Sequence, residues 1–204
     1  MKTELQNIIE KAHSLYMKYG IKSVSMDDIA RELSMSKKTL YVHIKDKTDL
    51  VSRTLKYENI TRVAFFDKAC NSQENAIDEL IKVNTFVENM LKEKSLSFEF
   101  DLQKYYPKLF AQLSEFKHKK MYKSISENIK KGKKEGIYRA ELKTEIITGL
   151  YVTRITSSHF FNFLFNTETK HSEIHRELII YHIRGLANEK GLEILDEKIK
   201  NKEI

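Results

Sequence analysis

The sequence predicts an all-α fold: an N-terminal three-helix, helix-turn-helix domain joined through a fourth helix to a larger helical domain. Three observations carry this expectation. The 204 residues include only 1 Pro and 6 Gly, too few for a turn-rich all-β chain. Hydrophobic residues at 41% and charged residues at 32% suit amphipathic helices. Capping residues stand where the apolar periodic stretches begin and end. A lone cysteine, Cys70, excludes a disulfide-stapled secreted scaffold.

The first helix is read from Leu5, Ile8, Ile9, Ala12, Leu15, Tyr16 and Tyr19, with Gly20 as its left-handed terminator. Ser25 caps a second helix whose positive end suits Asp27 and Asp28, and whose apolar face is Ile29, Ala30 and Leu33. Ser36 caps a short third helix through Thr39, Leu40 and His43. Asp46 caps a fourth that starts at Lys47 and runs toward Cys70, leaving only Lys45-Asp46 between helices three and four.

Two short helices joined by Ser34-Met35-Ser36 form a helix-turn-helix signature. Leu40 and Ile44 make the one apolar stripe of the third helix and must be buried. Lys37, Lys38, Tyr41, Val42 and His43 are too mixed for a core and face outward. Two cations, a phenol and an imidazole on a two-turn helix suit phosphates and base edges in a major groove about 12 Å wide.

These residues resemble the DNA-binding domain of TetR-family regulators. The resemblance rests on Ile9, Ala12, Leu15, Gly20, Ser25, Ile29, Ala30, Leu33, Ser36, Thr39-Leu40-Tyr41, His43 and Lys47 through Leu50. It covers roughly residues 8 to 55, and Ser36 through Lys47 is its most specific part. It implies base or phosphate contacts for Ser36, Lys37, Lys38, Thr39, Tyr41, Val42 and His43. It implies backbone contacts for Ser25 and Lys47. The chain departs from the family at Ser34, where Gly is usual; a positive φ there would strain Ser34 by about 1 kcal/mol. Lys38 and Val42 depart too, so the resemblance does not give the operator sequence. The domains expected are 1–50 for DNA binding and 51–204 for ligand binding and dimerisation.

Beyond the fourth helix, further helices are expected near 73–93, 95–105, 107–134, 143–165 and 171–189. Pro107 fits a first turn. The resemblance implies a pocket for a small-molecule effector, and the concentration of aromatics suits an apolar or aromatic one. Candidate lining residues are Phe86, Met90, Phe98, Tyr105, Phe110, Tyr122, Tyr151 and His159. Each of these is also an ordinary core candidate. Small residues recur between larger ones along Ile146, Gly149, Thr153, Thr156 and Phe160, and along Ile174, Leu178, Tyr181 and Gly185. TetR-like proteins pair through such helices, so a homodimer through 143–165 and 171–189 is expected; packing within one chain would use the same pattern.

Formal net charge is +7, but the strongest basic run lies at Lys117 through Lys134 and reads as a solvated helix face. Ile146 to Phe165 is the most apolar stretch, yet Arg154 sits in its middle, so no membrane span and a cytoplasmic location are expected. His171 and His175 lie four apart with His182 beyond, but the intervening Glu173 is out of zinc-protease order. No metal, cofactor or catalytic residue is expected.

The sequence thus predicts a ligand-responsive, homodimeric regulator that binds double-stranded DNA and is no enzyme. It reads as a repressor released from a palindromic operator. The alternatives are an architectural DNA-binding protein without effector and, behind it, an all-α metal-dependent enzyme.

Overall fold

A computed structural model of the chain describes residues 3–70, 74–92, 96–156 and 171–204. The described residues form helices α1 (Glu4–Tyr19), α2 (Met26–Glu32), α3 (Lys37–His43), α4 (Lys47–Cys70), α5 (Ala76–Lys92), α6 (Leu96–Tyr105), α7 (Pro107–Lys134), α8 (Thr144–Thr156), α9 (His171–Leu186) and α10 (Glu189–Lys200). Pairing of extended backbone among them is limited to one bridge, Tyr138 to Ala187. The all-α expectation holds.

Side-chain caps set the first four helices. Thr3 and Gln6 close a capping box on α1. Ser25 Oγ accepts from Asp28 N–H at 3.1 Å, and Asp28 returns the bond to Ser25 N–H at 2.9 Å. Ser36 Oγ accepts from Thr39 N–H at 3.0 Å, and Asp46 Oδ1 from Asp49 N–H at 2.8 Å. Each cap satisfies one of the four donors that a helix start leaves unpaired.

Two turn details refine the sequence reading. Gly20 has φ 84° and ψ 159°, which is not the left-handed helical region but an extended one that glycine alone adopts readily. Ser34 has φ 53°, the strained position foreseen for a non-glycine residue. Met35 N–H bonds to Ala30 C=O and Ser34 N–H to Arg31 C=O, the paired bonds of a Schellman motif. The α3–α4 connection is three residues, because Ile44 is extended and lies outside the helix.

The helices fall into two compact units, Met1–Phe65 with Glu93–Glu115 and Phe66–Lys92 with Phe116–Ile204. α6 and the start of α7 thus group with α1 to α3 and most of α4 in the first unit. In the first unit, Ile8, Ala12 and Tyr16 of α1 bury against Ile29, Leu40, Ile44, Leu50 and Val51. Phe98 and Leu102 of α6 and Leu113 of α7 complete that core. The Leu40/Ile44 stripe is buried as expected, and it fixes which face of α3 looks outward.

In the second unit, Ile77 and Leu80 of α5, Ile125 and Ile129 of α7, Tyr151 of α8 and Ile179 and Ile183 of α9 share a core. Asn128 bridges it, donating to Ala76 C=O at 2.9 Å and accepting from Tyr138 OH at 3.3 Å. Pro107 opens α7, as its missing N–H allows. The helix expected near 171–189 is α9, which stops at Leu186; a further helix, α10, was not expected, and Asn188 caps it by accepting from Gly191 N–H at 3.1 Å.

Candidate nucleic-acid interface

The outward face of α3 carries side chains that the chain itself does not use for packing. Tyr41 is 46% exposed and Val42 75% exposed. Lys37 and Lys38 are exposed beside them. Ser36 and Thr39 hydroxyls bond to each other at 2.8 Å at the start of the helix. With Leu40 and Ile44 buried beneath, α3 is held rigidly while this face stays open.

Two side chains of this helix already have acidic partners. Lys37 Nζ pairs with Asp27 Oδ2 at 2.6 Å, which holds its ammonium above the usual lysine range. His43 Nε2 lies 3.2 Å from Glu4 Oε2. Lys47, at the start of α4, donates to Lys22 C=O at 3.5 Å. Burial pulls its ammonium below the usual range, and the charges of Asp101 and Asp28 oppose that shift. Ser25 Oγ donates to Asp28 Oδ2 at 2.6 Å, so its hydroxyl serves the cap first. The α3 residues therefore lie together on one face, with Ser25 and Lys47 at neighbouring helix starts.

Sequence reasoning missed the two acids. Asp27 and Glu4 read as charges favouring helix starts, and no spacing rule brings them to another helix. It also missed Asp101 of α6, and gave Tyr105 of α6 an effector role rather than a contact with Lys22. Asp101 Oδ2 accepts from Lys22 N–H at 2.7 Å, and Lys22 Nζ donates to Tyr105 OH at 2.9 Å.

The expected effector residues are divided between the two units. Phe98 is buried in the core of the first unit, and Phe110 packs against it. Tyr105 is partly exposed over Lys22. These three belong to the first unit, with the helix-turn-helix. In the second unit Tyr151 is buried, Tyr122 exposed and Phe86 half-buried. The Met90 side chain and His159 lie outside the described residues, as do the side chains of Cys70 and His171. Among the described residues no group of three or more metal-ligating side chains occurs, and no helix is long and apolar enough to cross a membrane. The basic run is not wholly solvated: Lys131 is half-buried, and pairs with buried Glu79 at 2.7 Å.

Comparison with known proteins bears on the same segment. Residues 8–54 match the family described as bacterial regulatory proteins, tetR family. An HTH-type transcriptional regulator of Staphylococcus aureus (strain USA300) is 47% identical over 49 residues, which are 24% of this chain and 26% of that protein. Another, from the bovine strain RF122 / ET3-1, is 35% identical over 79 residues, 39% of this chain and 42% of that one. The match thus spans about a quarter of the length of the first relative. A transcriptional regulator from Cytophaga hutchinsonii ATCC 33406 has a similar fold, with a TM-score of 0.78 at 17% identity over 92% of this chain and 100% of that one. A regulator from Saccharomonospora viridis in complex with choline gives 0.72 at 16%, over 91% and 98%. Residues 8–54 are thus similar to the tetR family's characteristic segment, and the fold is similar to that of solved transcriptional regulators.

Proposed function

We propose that the chain is a ligand-responsive, homodimeric DNA-binding transcriptional regulator, acting as a repressor in the cytoplasm. One observation carries the DNA reading: Tyr41 and Val42 stand exposed beside Lys37 and Lys38 on a helix whose opposite face is locked by Leu40. An apolar side chain 75% exposed has no folding role, and beside two lysines it is suited to a thymine methyl. Residues 1–50 then read the DNA, and residues 51–204 carry effector binding and pairing.

Dimerisation is supported by Ile146 and Leu150 on α8 and Tyr181 on α9, all exposed. A Cβ at Gly149 or Gly185 would meet nothing within 4 Å among the described residues, so these glycines make no close approach there. Ile174 is buried in the chain and does not belong to that face. A two-fold pair would set two α3 helices about 34–36 Å apart on a palindromic site. An effector that prefers the DNA-incompetent state by about 1–3 kcal/mol would release it. Choline bound to the Saccharomonospora viridis regulator is a precedent for a small ligand on this fold, not for its identity here.

Selection of bound sites from random DNA at fixed salt tests the reading. A palindrome with half-sites about one helical turn apart supports it. Enrichment of no sequence would favour an architectural protein instead.

A further inference from the structure

α8 and α9 meet around a polar cluster that the DNA-reading face does not involve. Tyr151 of α8 stacks on the His182 imidazole of α9, with ring centroids 3.8 Å apart and planes at 24°. The Arg154 guanidinium lies 5.1 Å from the Tyr151 ring centre, and its Nη2 donates to Leu178 C=O at 3.4 Å. Two buried polar atoms here have no hydrogen-bond partner among the described residues: Arg154 Nε and His182 Nε2.

A guanidinium keeps its charge at any accessible pH, so Arg154 cannot escape burial by losing a proton. Among the described residues it has no carboxylate partner; its neighbours are Tyr151, Leu178, Tyr181 and His182. A half-buried cation without a counter-ion is unfavourable, and each unpaired donor adds to that. Burial, helped by the Arg154 charge, pushes His182 down to about 3. Its ring is therefore neutral near pH 7, and Nε2 donates or accepts according to tautomer. Apolar side chains of the same core, Ile77, Ile179 and Ile183, adjoin the stack.

A planar oxyanion answers this arrangement. Its two oxygens suit the Nε/Nη fork of Arg154, and one negative charge matches one cation. A dianionic phosphate would leave its second charge uncompensated. We propose that Arg154, with His182, holds the carboxylate of an effector whose body is apolar or aromatic. The site rests on the reading of the chain as effector-responsive.

The test uses the full chain without DNA and calorimetric titration with benzoate and octanoate. Benzyl alcohol and octan-1-ol serve as uncharged matches, and inorganic phosphate as an anion without a body. The carboxylates should bind roughly 10- to 100-fold more tightly than the alcohols or phosphate. Arg154→Gln should abolish that preference, and Arg154→Lys should retain part of it. The His182 ring signals, assigned with His182→Gln, should shift with benzoate and not with benzyl alcohol. If Arg154→Gln fails to fold, the acid-to-alcohol ratio and the His182 signals of the parent still decide. Equal binding of acids and alcohols overturns the site. So does no carboxylate binding at about 10 mM, or a folded Arg154→Gln that binds benzoate like the parent. Carboxylates that bind through Arg154 but leave DNA affinity unchanged would uphold the site and sink the regulator reading. DNA release by a neutral compound, with no carboxylate bound, would do the reverse.

Discussion

Asp101 accepts a 2.7 Å hydrogen bond from the backbone N–H of Lys22, tying α6 to the turn between α1 and α2. The carboxylate is buried, and the turn is shaped to meet it: a Cβ at Gly20 would lie 2.9 Å from Asp101 Oδ2 and 3.1 Å from Ser97 Cβ. Asp101→Ala leaves a turn donor without its acceptor, so the chain should lose about 1–3 kcal/mol of stability. Operator affinity should fall with it, because Lys47 donates to the C=O of that same Lys22. Urea unfolding with unchanged midpoint would refute the role of the bond.

Ser34 holds φ 53° at an exposed turn position. Glycine adopts that conformation freely, so Ser34→Gly should raise stability by about 0.5–1 kcal/mol, net of the greater freedom of the unfolded chain. DNA binding should be unaffected. A lower urea midpoint would mean that the Ser34 hydroxyl contributes more than its backbone loses.

Gly191 is fixed by space instead. A Cβ there would approach Ile137 O to 2.2 Å and Ala187 Cβ to 3.0 Å. The obstacle is backbone, so it cannot swing aside. Gly191→Ala should lose about 2–3 kcal/mol, enough to lower the melting temperature by several degrees. Retention of the parent melting curve would show that α10 can shift away from Ile137 without loss.

His182 gives the fold a pH dependence of definite sign. Its folded value of about 3 lies below the ordinary 6.5, so the unfolded chain takes up a proton first. Its contribution is constant above about 6.5 and falls as pH drops toward 3, by at most about 1.4 kcal/mol per unit. The difference in stability between His182→Gln and the parent should therefore shrink as pH falls from 7 to 4. A difference that stays constant over that range would contradict the burial.

On the α3 face, Tyr41→Ala should alter sequence preference at one position of each half-site. Lys47→Ala should weaken binding to all sequences alike and reduce the salt dependence by about one unit. Fluorescence anisotropy on an operator and a scrambled duplex at several salt concentrations separates the two effects. Parent-like behaviour from both variants would remove α3 from the interface.

The parts of this molecule legible in its sequence are those governed by neighbours in the chain. Ser25, Ser36 and Asp46 act within three residues, so their caps could be read directly. Leu40 and Ile44 repeat at one helical turn, and that revealed the buried side of α3. Asp101 was not legible, because its partner lies 79 residues away and no periodicity announces the meeting. The last helix was not foreseen, and its Gly191 serves as a close approach to the Ile137 backbone, a contact 54 residues away that no local pattern shows. Phe98 and Phe110 looked like pocket candidates because aromatic composition does not say which of two cores a side chain joins.

The pairing of Lys37 with Asp27 at 2.6 Å has a kinetic meaning. A phosphate that takes Lys37 must first displace a carboxylate, exchanging one exposed ion pair for another with little net gain. Contacts by Tyr41 and Val42 demand no such exchange, but they form only where the bases suit them. If α3 reads DNA as proposed, arbitrary duplex would hold it loosely and release it fast, which would shorten the search, and the added contacts at the matching sequence would lengthen its stay.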